Sequence, residues 1–118
     1  MANRAKAKGT SFESALVRWF EERGVAARRI VLHGNKDRGD IDAGAWNLEA
    51  KNVRALALSQ WVEEAKVESI NAGKPVAVVV KRVGKSDPGE SYVVMPLALF
   101  TEQVLRTSPQ YEPCPFDH

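Results

Sequence analysis

The sequence predicts an α/β domain with a central mixed β-sheet flanked by helices, in the order αβββαββα. Three observations carry that expectation. Apolar residues recur at near 3.6-residue spacing in three separate segments. Val76-Ala-Val-Val-Val80 is a continuous apolar run rich in β-branched residues, as expected of a strand covered on both faces. Two short segments on either side of Gly44-Ala45 alternate polar and apolar residues, as a hairpin does. At 118 residues, 44% hydrophobic and 27% charged, the chain has the size and composition of one soluble domain with a single core.

The elements follow in order. Residues 1–9 hold Arg4, Lys6 and Lys8 among alanines with no acid, and are expected as a basic flexible arm. Thr10 to about Arg23 reads as a helix, with Phe12, Leu16, Trp19 and Phe20 as its stripe and Gly24 as its stop. Val25 to about Leu32 reads as a strand, and 33–39 as a loop leading to a hairpin over 40–51. Leu56 to Ala72 reads as a second helix with Leu58, Trp61, Val62, Ala65 and Ile70 inward, stopped by Gly73 before Pro75. After the 76–80 strand, 84–89 is dense in turn residues, and Ser91 to Met95 returns as a strand. Pro96 opens a third helix to about Arg106, with Leu97, Phe100, Val104 and Leu105 facing the core. The body of the domain is thus expected over 10–106, and 107–118 as a proline-rich tail.

Some function classes are disfavoured at once. No apolar run approaches the roughly 18 residues needed to cross a bilayer, and no signal-peptide segment is visible, so an intracellular location is expected. In a phage-encoded protein, which the economy of the chain would suit, that means the host cytoplasm. The lone Cys114 permits no internal disulfide and has no thiol or histidine cluster around it to bind zinc.

The hairpin carries the chemistry. With Gly44-Ala45 as a two-residue type II′ turn, paired residue numbers sum to 89, which sets Asp40 opposite Glu49 and Asp42 opposite Asn47. The strand period of two then gathers Asp40, Asp42, Asn47, Glu49 and Lys51 on one face, and Ile41, Ala43, Trp46, Leu48 and Ala50 on the other. Directly opposed carboxylates repel unless something offsets them. Mg²⁺ or Mn²⁺ would do so, with Lys51, diagonal to Asp40, adding an ammonium near a phosphate oxygen. The same pattern also describes the solvated face of an ordinary half-buried hairpin, and both readings stand at this point.

Charge is distributed unevenly. The net charge is +2, but residues 1–38 carry nine basic and four acidic side chains, and 39–118 eight basic and eleven acidic. Arg4, Lys6, Lys8, Arg28, Arg29, Lys36 and Arg38 are therefore candidates for contact with nucleic-acid phosphates. Glu13 sits three residues after Thr10, the spacing of a capping box, and that is its ordinary explanation. If Asp40 and Glu49 hold a metal, Glu13 on a helix docked over the sheet becomes a further ligand.

Taken together, these residues resemble a known pattern. Glu13 in the first helix, Gly39-Asp40-Ile41, Glu49-Ala50-Lys51 after a short hairpin, and a following helix with Gln60 look like the PD-(D/E)xK nuclease superfamily. The run Lys8-Gly-Thr-Ser-Phe-Glu13, with Gly24, Ala27 and Arg28, is similar to the archaeal-type Holliday junction resolvases within it. The resemblance covers residues 8 to about 72. It implies a restriction-endonuclease-like core and a homodimer that cleaves DNA phosphodiesters, here of Holliday junctions or other branched DNA, with a divalent metal. Asp40 and Glu49 would be metal ligands, Glu13 would assist them, and Lys51 would stabilise developing charge. Two departures are Gly39 in place of proline before Asp40, and Glu64 rather than tyrosine four residues after Gln60. Other functions compatible with the pattern are a replication or restriction-type nuclease of the same superfamily, and a non-catalytic DNA-binding module on the same fold.

Overall fold

In a computed structural model the chain is an α/β fold with a five-stranded mixed sheet flanked by helices. The structure describes residues 4–32, 34, 36–107 and 109, of which 4–7 by backbone alone. The elements are α1 (Arg4–Glu22), β1 (Arg28–Arg29), β2 (Ile41–Ala43), β3 (Trp46–Lys51), α2 (Leu58–Ala72), β4 (Val76–Val80), β5 (Tyr92–Val94) and α3 (Leu97–Phe100). Their order is the expected one. The strands lie in the sheet in chain order, antiparallel except for β3 and β4, which are parallel and joined through α2. Among the described residues no helix is long and apolar enough to cross a membrane.

Each face of the sheet carries a helix. Phe12 and Leu16 of α1 pack on Ile41, Leu48, Ala77 and Val79, with Ala43, Trp46 and Ala50 joining this cluster. Trp61 and Ala65 of α2 pack on the other face against Val76, Val78 and Val80. All five residues of β4 are buried, so its unbroken apolar run reflects cover on both sides. Leu16, Ile41 and Val78 are the largest fully buried side chains, each contributing about 1.5–3 kcal/mol by leaving water.

Several expectations are corrected. The helix α1 begins at Arg4, not Thr10, because alanine, lysine and arginine are strong helix formers and extend it past the last apolar contact. Residues 4–9, expected as an arm, are its first turns. Thr10 therefore lies inside the helix, and the capping-box reading of Glu13 fails. The strand expected over 25–32 is reduced to Arg28–Arg29, with one further backbone hydrogen bond from Ile30, and Val31 and Leu32 are exposed. On α2 the buried residues are Trp61, Ala65 and Glu68, whereas Leu58 and Ile70, expected inward, are exposed. On α3, four α-helical residues run into a wider π turn over Thr101–Leu105, and Leu97, Phe100, Val104 and Leu105 are all exposed. Among the described residues the sheet ends at β5, so the last helix has little of it left to cover. Cys114, His118 and His33 lie outside the described residues, as do the side chains of Arg4 and Lys6.

Candidate metal centre

The site begins with the register of the hairpin. Ile41 pairs with Leu48, Asp42 with Asn47 and Ala43 with Trp46, so paired numbers sum to 89 as the turn chemistry requires. Gly44 has φ +80° and among the described residues no non-glycine residue, Ala45 included, has positive φ, which is the signature of a type II′ turn at Gly44-Ala45. The amide of Asp40 donates to Leu48 O at 2.8 Å, and the amide of Ile30 donates to Asp40 O at 2.8 Å. The Asp40 side chain is fixed as well, its Oδ2 accepting from the Ala50 amide at 2.8 Å.

Gly39 stands before Asp40 for a local reason. Its φ is +99°, and a Cβ built there would stand 3.2 Å from Leu48 O. Both the backbone conformation and the close approach call for glycine, and together they bring Asp40, just before β2, against Leu48 of β3.

Glu49 and Lys51 rise from β3 beside Val78 and Val80 of β4, on the face covered by α2. Lys51 Nζ lies 3.5 Å from Glu49 Oε2 and 3.7 Å from Glu64 Oε2. It also lies 5.8 Å from the centre of the Trp61 ring, so α2 and β3 together hold the ammonium. Gln60 donates to Glu64 Oε1 at 3.0 Å and stays exposed; its link to the site runs through Glu64.

Asp37 and Glu68, which sequence reasoning missed, join Glu49. One ligand oxygen from each of Asp37, Glu49 and Glu68 lies within 4.8 Å of the others, an arrangement that could hold a metal ion. The Gly39 amide donates to Asp37 Oδ1 at 2.9 Å, and Asn71 Nδ2 to the Asp37 carbonyl at 2.8 Å. Glu68 and Asn71, three apart on α2, thus both face the loop before β2. A signal for Glu68 was present: it continues the Trp61 and Ala65 stripe, and an acid on a buried stripe needs a partner. Asp37, in an irregular loop, offered none.

The electrostatics of the group are strongly perturbed. Burial is the main cause that pushes the Glu49 carboxyl up to about 9, followed by a hydrogen bond to Asp40 that only its protonated form donates and by the charges of Asp40 and Glu68. Lys51 pulls the other way. Glu68 is pushed up to about 8, again first by burial and then by Asp37. As carboxylates, Glu49 and Glu68 each leave a buried Oε1 without a donor among the described residues. Hard oxygen ligands that are short of donors and resist ionisation are what a divalent cation would satisfy.

Glu13 takes a different position. Its Oε1 accepts from Arg29 Nε at 3.2 Å, and its carboxyl is raised by burial and by the nearby charge of Asp40. It approaches Asp40 from the α1 side and does not belong to the Asp37, Glu49 and Glu68 group. Asp42 is engaged elsewhere. Lys74 Nζ lies 3.0 Å from it and Arg28 3.4 Å, and the Lys74 hydrogen bond is the main cause holding its carboxyl below the usual range.

The basic residues divide in two. Arg28 and Arg29 are paired with Asp42 and Glu13, whereas Lys8, Lys36 and Arg38 are exposed with no ion pair among the described residues. Arg28, Arg29, Arg38 and Lys74 line a cleft of about 540 Å³ that also reaches Asp42 and Asn47. A cationic cleft thus opens beside the acidic group. No protein-family model, curated protein or solved structure matches this chain.

Proposed function

We propose that the protein is a metal-dependent endodeoxyribonuclease with a restriction-endonuclease-like core, acting on Holliday junctions or other branched DNA as a homodimer. The observation that carries the reading is the mouth of a hairpin: the carboxyl groups of Asp40, just before β2, and of buried Glu49 on β3 meet in a side-chain hydrogen bond, with the Lys51 ammonium 3.5 Å from Glu49. The cationic cleft alongside suits a phosphate backbone, and the resemblance over residues 8 to about 72 supplies the DNA substrate and the dimer.

Mg²⁺ or Mn²⁺ held by Asp40 and Glu49 would supply Lewis-acid charge at the phosphodiester and at the attacking water. The chain's own residues do the rest. Asp40 is held for this by the Ala50 amide, and Glu49 by its place on a strand buried against β4. Lys51, steadied by Glu64 and the Trp61 ring, adds positive charge where the nonbridging and leaving oxygens gain negative charge. Glu13 and Arg29 form a charged pair at the approach to Asp40, and Lys8, Lys36 and Arg38 are free to position the backbone.

The test incubates the protein with labelled four-way junction and with linear duplex in Mg²⁺. Junction cleavage that Asp40→Asn abolishes, with junction binding retained, is the expected result. Equal cutting of both substrates would refute the junction preference. Binding without cleavage by the unaltered protein would refute the enzyme and leave a DNA-binding module.

A further inference from the structure

The carboxyl groups around Glu49 outnumber the cations that face them. Asp37, Asp40, Glu49 and Glu68 interact with one another where β3 meets α2 and the loop before β2. Among the described residues Lys51, on Glu49, is the one ammonium paired with any of the four. A single divalent ion shared by Asp40 and Glu49 would still leave Asp37 and Glu68 uncompensated.

A second observation, independent of the clustering, concerns Glu68 itself. The residue is 3% exposed, and its Oε1 has no hydrogen-bond partner although its ligand oxygen lies within 4.8 Å of those of Asp37 and Glu49. Asn47, two residues before Glu49 on the same strand face, is also 3% exposed with an unpartnered Oδ1. Buried oxygens without donors are among the most costly groups in a protein interior, and helix α2 places this one on its otherwise apolar stripe.

We propose that Asp37 and Glu68 hold a second divalent cation, with Glu49 shared between it and the cation of the Asp40 and Glu49 site. The inference rests on the reading of Asp40 and Glu49 as a cation site. All three side chains offer hard oxygens, and Asp37 is exposed, so water can complete the shell as Mg²⁺ and Mn²⁺ require. Two cations flanking one shared carboxylate bring charge to both sides of a single phosphodiester.

The experiment measures Mn²⁺ binding to the metal-free full chain by equilibrium dialysis and electron paramagnetic resonance near neutral pH. The unaltered protein is expected to bind two Mn²⁺ per chain. Glu68→Gln is expected to bind one, and Asp37→Asn to weaken the second ion at least roughly ten-fold. Because Asp37 is exposed, Asp37→Asn keeps the test valid even if Glu68→Gln fails to fold. Asp40→Asn should retain the ion at Asp37 and Glu68. One Mn²⁺ per unaltered chain, or unchanged Mn²⁺ binding in Asp37→Asn, would overturn the proposal. Two bound Mn²⁺ without DNA cleavage would support the second site while refuting the nuclease reading, so the two failures are distinct.

Discussion

Replacing Glu49 with glutamine is expected to stabilise the metal-free protein and to abolish cation binding. The carboxyl is ordinary in the unfolded chain, with a value of 4.5, and is raised to about 9 in the fold. A raised folded value means that the native state takes up a proton the unfolded state has already released. The associated stability is fully present below 4.5 and is lost as pH rises through the window up to about 9. At pH 7 the unfolded group lies well above its pKa while the folded group still holds its proton, a difference that costs on the order of 3 kcal/mol. Relaxation around the site lowers this to about 2–3 kcal/mol, or on the order of 10 °C in Tm for a domain of this size. Glutamine has the shape of the protonated acid and can still donate to Asp40, without that cost. Urea and thermal unfolding in a chelator, at pH 5, 7 and 8, measure the difference. The variant should nearly match the unaltered protein at pH 5 and exceed it increasingly above. A gap that is absent at pH 7, or that fails to widen with pH, would refute the reasoning.

Three further outcomes are expected. Gly39→Ala places a Cβ 3.2 Å from Leu48 O at a φ of +99°, so urea unfolding should show a loss of about 1–3 kcal/mol; a change under about 0.5 kcal/mol would contradict the strained-turn account. Lys51→Ala removes the ammonium 3.5 Å from Glu49 and should lower single-turnover cleavage by roughly 10²–10³-fold while junction affinity changes little; unaltered turnover would exclude Lys51 from the chemistry. Arg38→Ala removes an exposed cation of the cleft. It should weaken binding to all DNA sequences alike and reduce the slope of log K against log salt by about 1; an unchanged slope would remove Arg38 from the backbone contact.

Legibility varied with how local the cause of each feature was. The hairpin register could be read in advance because Gly44 selects its turn and the turn sets the pairs of Ile41 with Leu48, Asp42 with Asn47 and Ala43 with Trp46; Asp40 lies just before this ladder and meets Glu49 through its side chain. The strand β4 was plain from its composition. The limits of α1 were not, since helix propensity alone carries it from Thr10 back to Arg4, beyond any apolar repeat. The inward faces of α2 and α3 were misjudged for another reason. Apolar residues such as Ile70 and Leu97 satisfy a helical repeat without any neighbour being there to cover them.

For the site, the sequence by itself determined Asp40, Glu49 and Lys51 as one polar face, because a period of two and a two-residue turn are local rules. Only the tertiary structure decided which other groups meet them. It brought Glu68 from α2 and Asp37 from an irregular loop to Glu49, tied Glu13 to Arg29, and gave Asp42 to Lys74. Those partnerships depend on how helices dock across a sheet and where a loop is pinned, as by Asn71 on Asp37. Burial then set the charge state of each acid, a property of the packed environment that no spacing along the chain encodes.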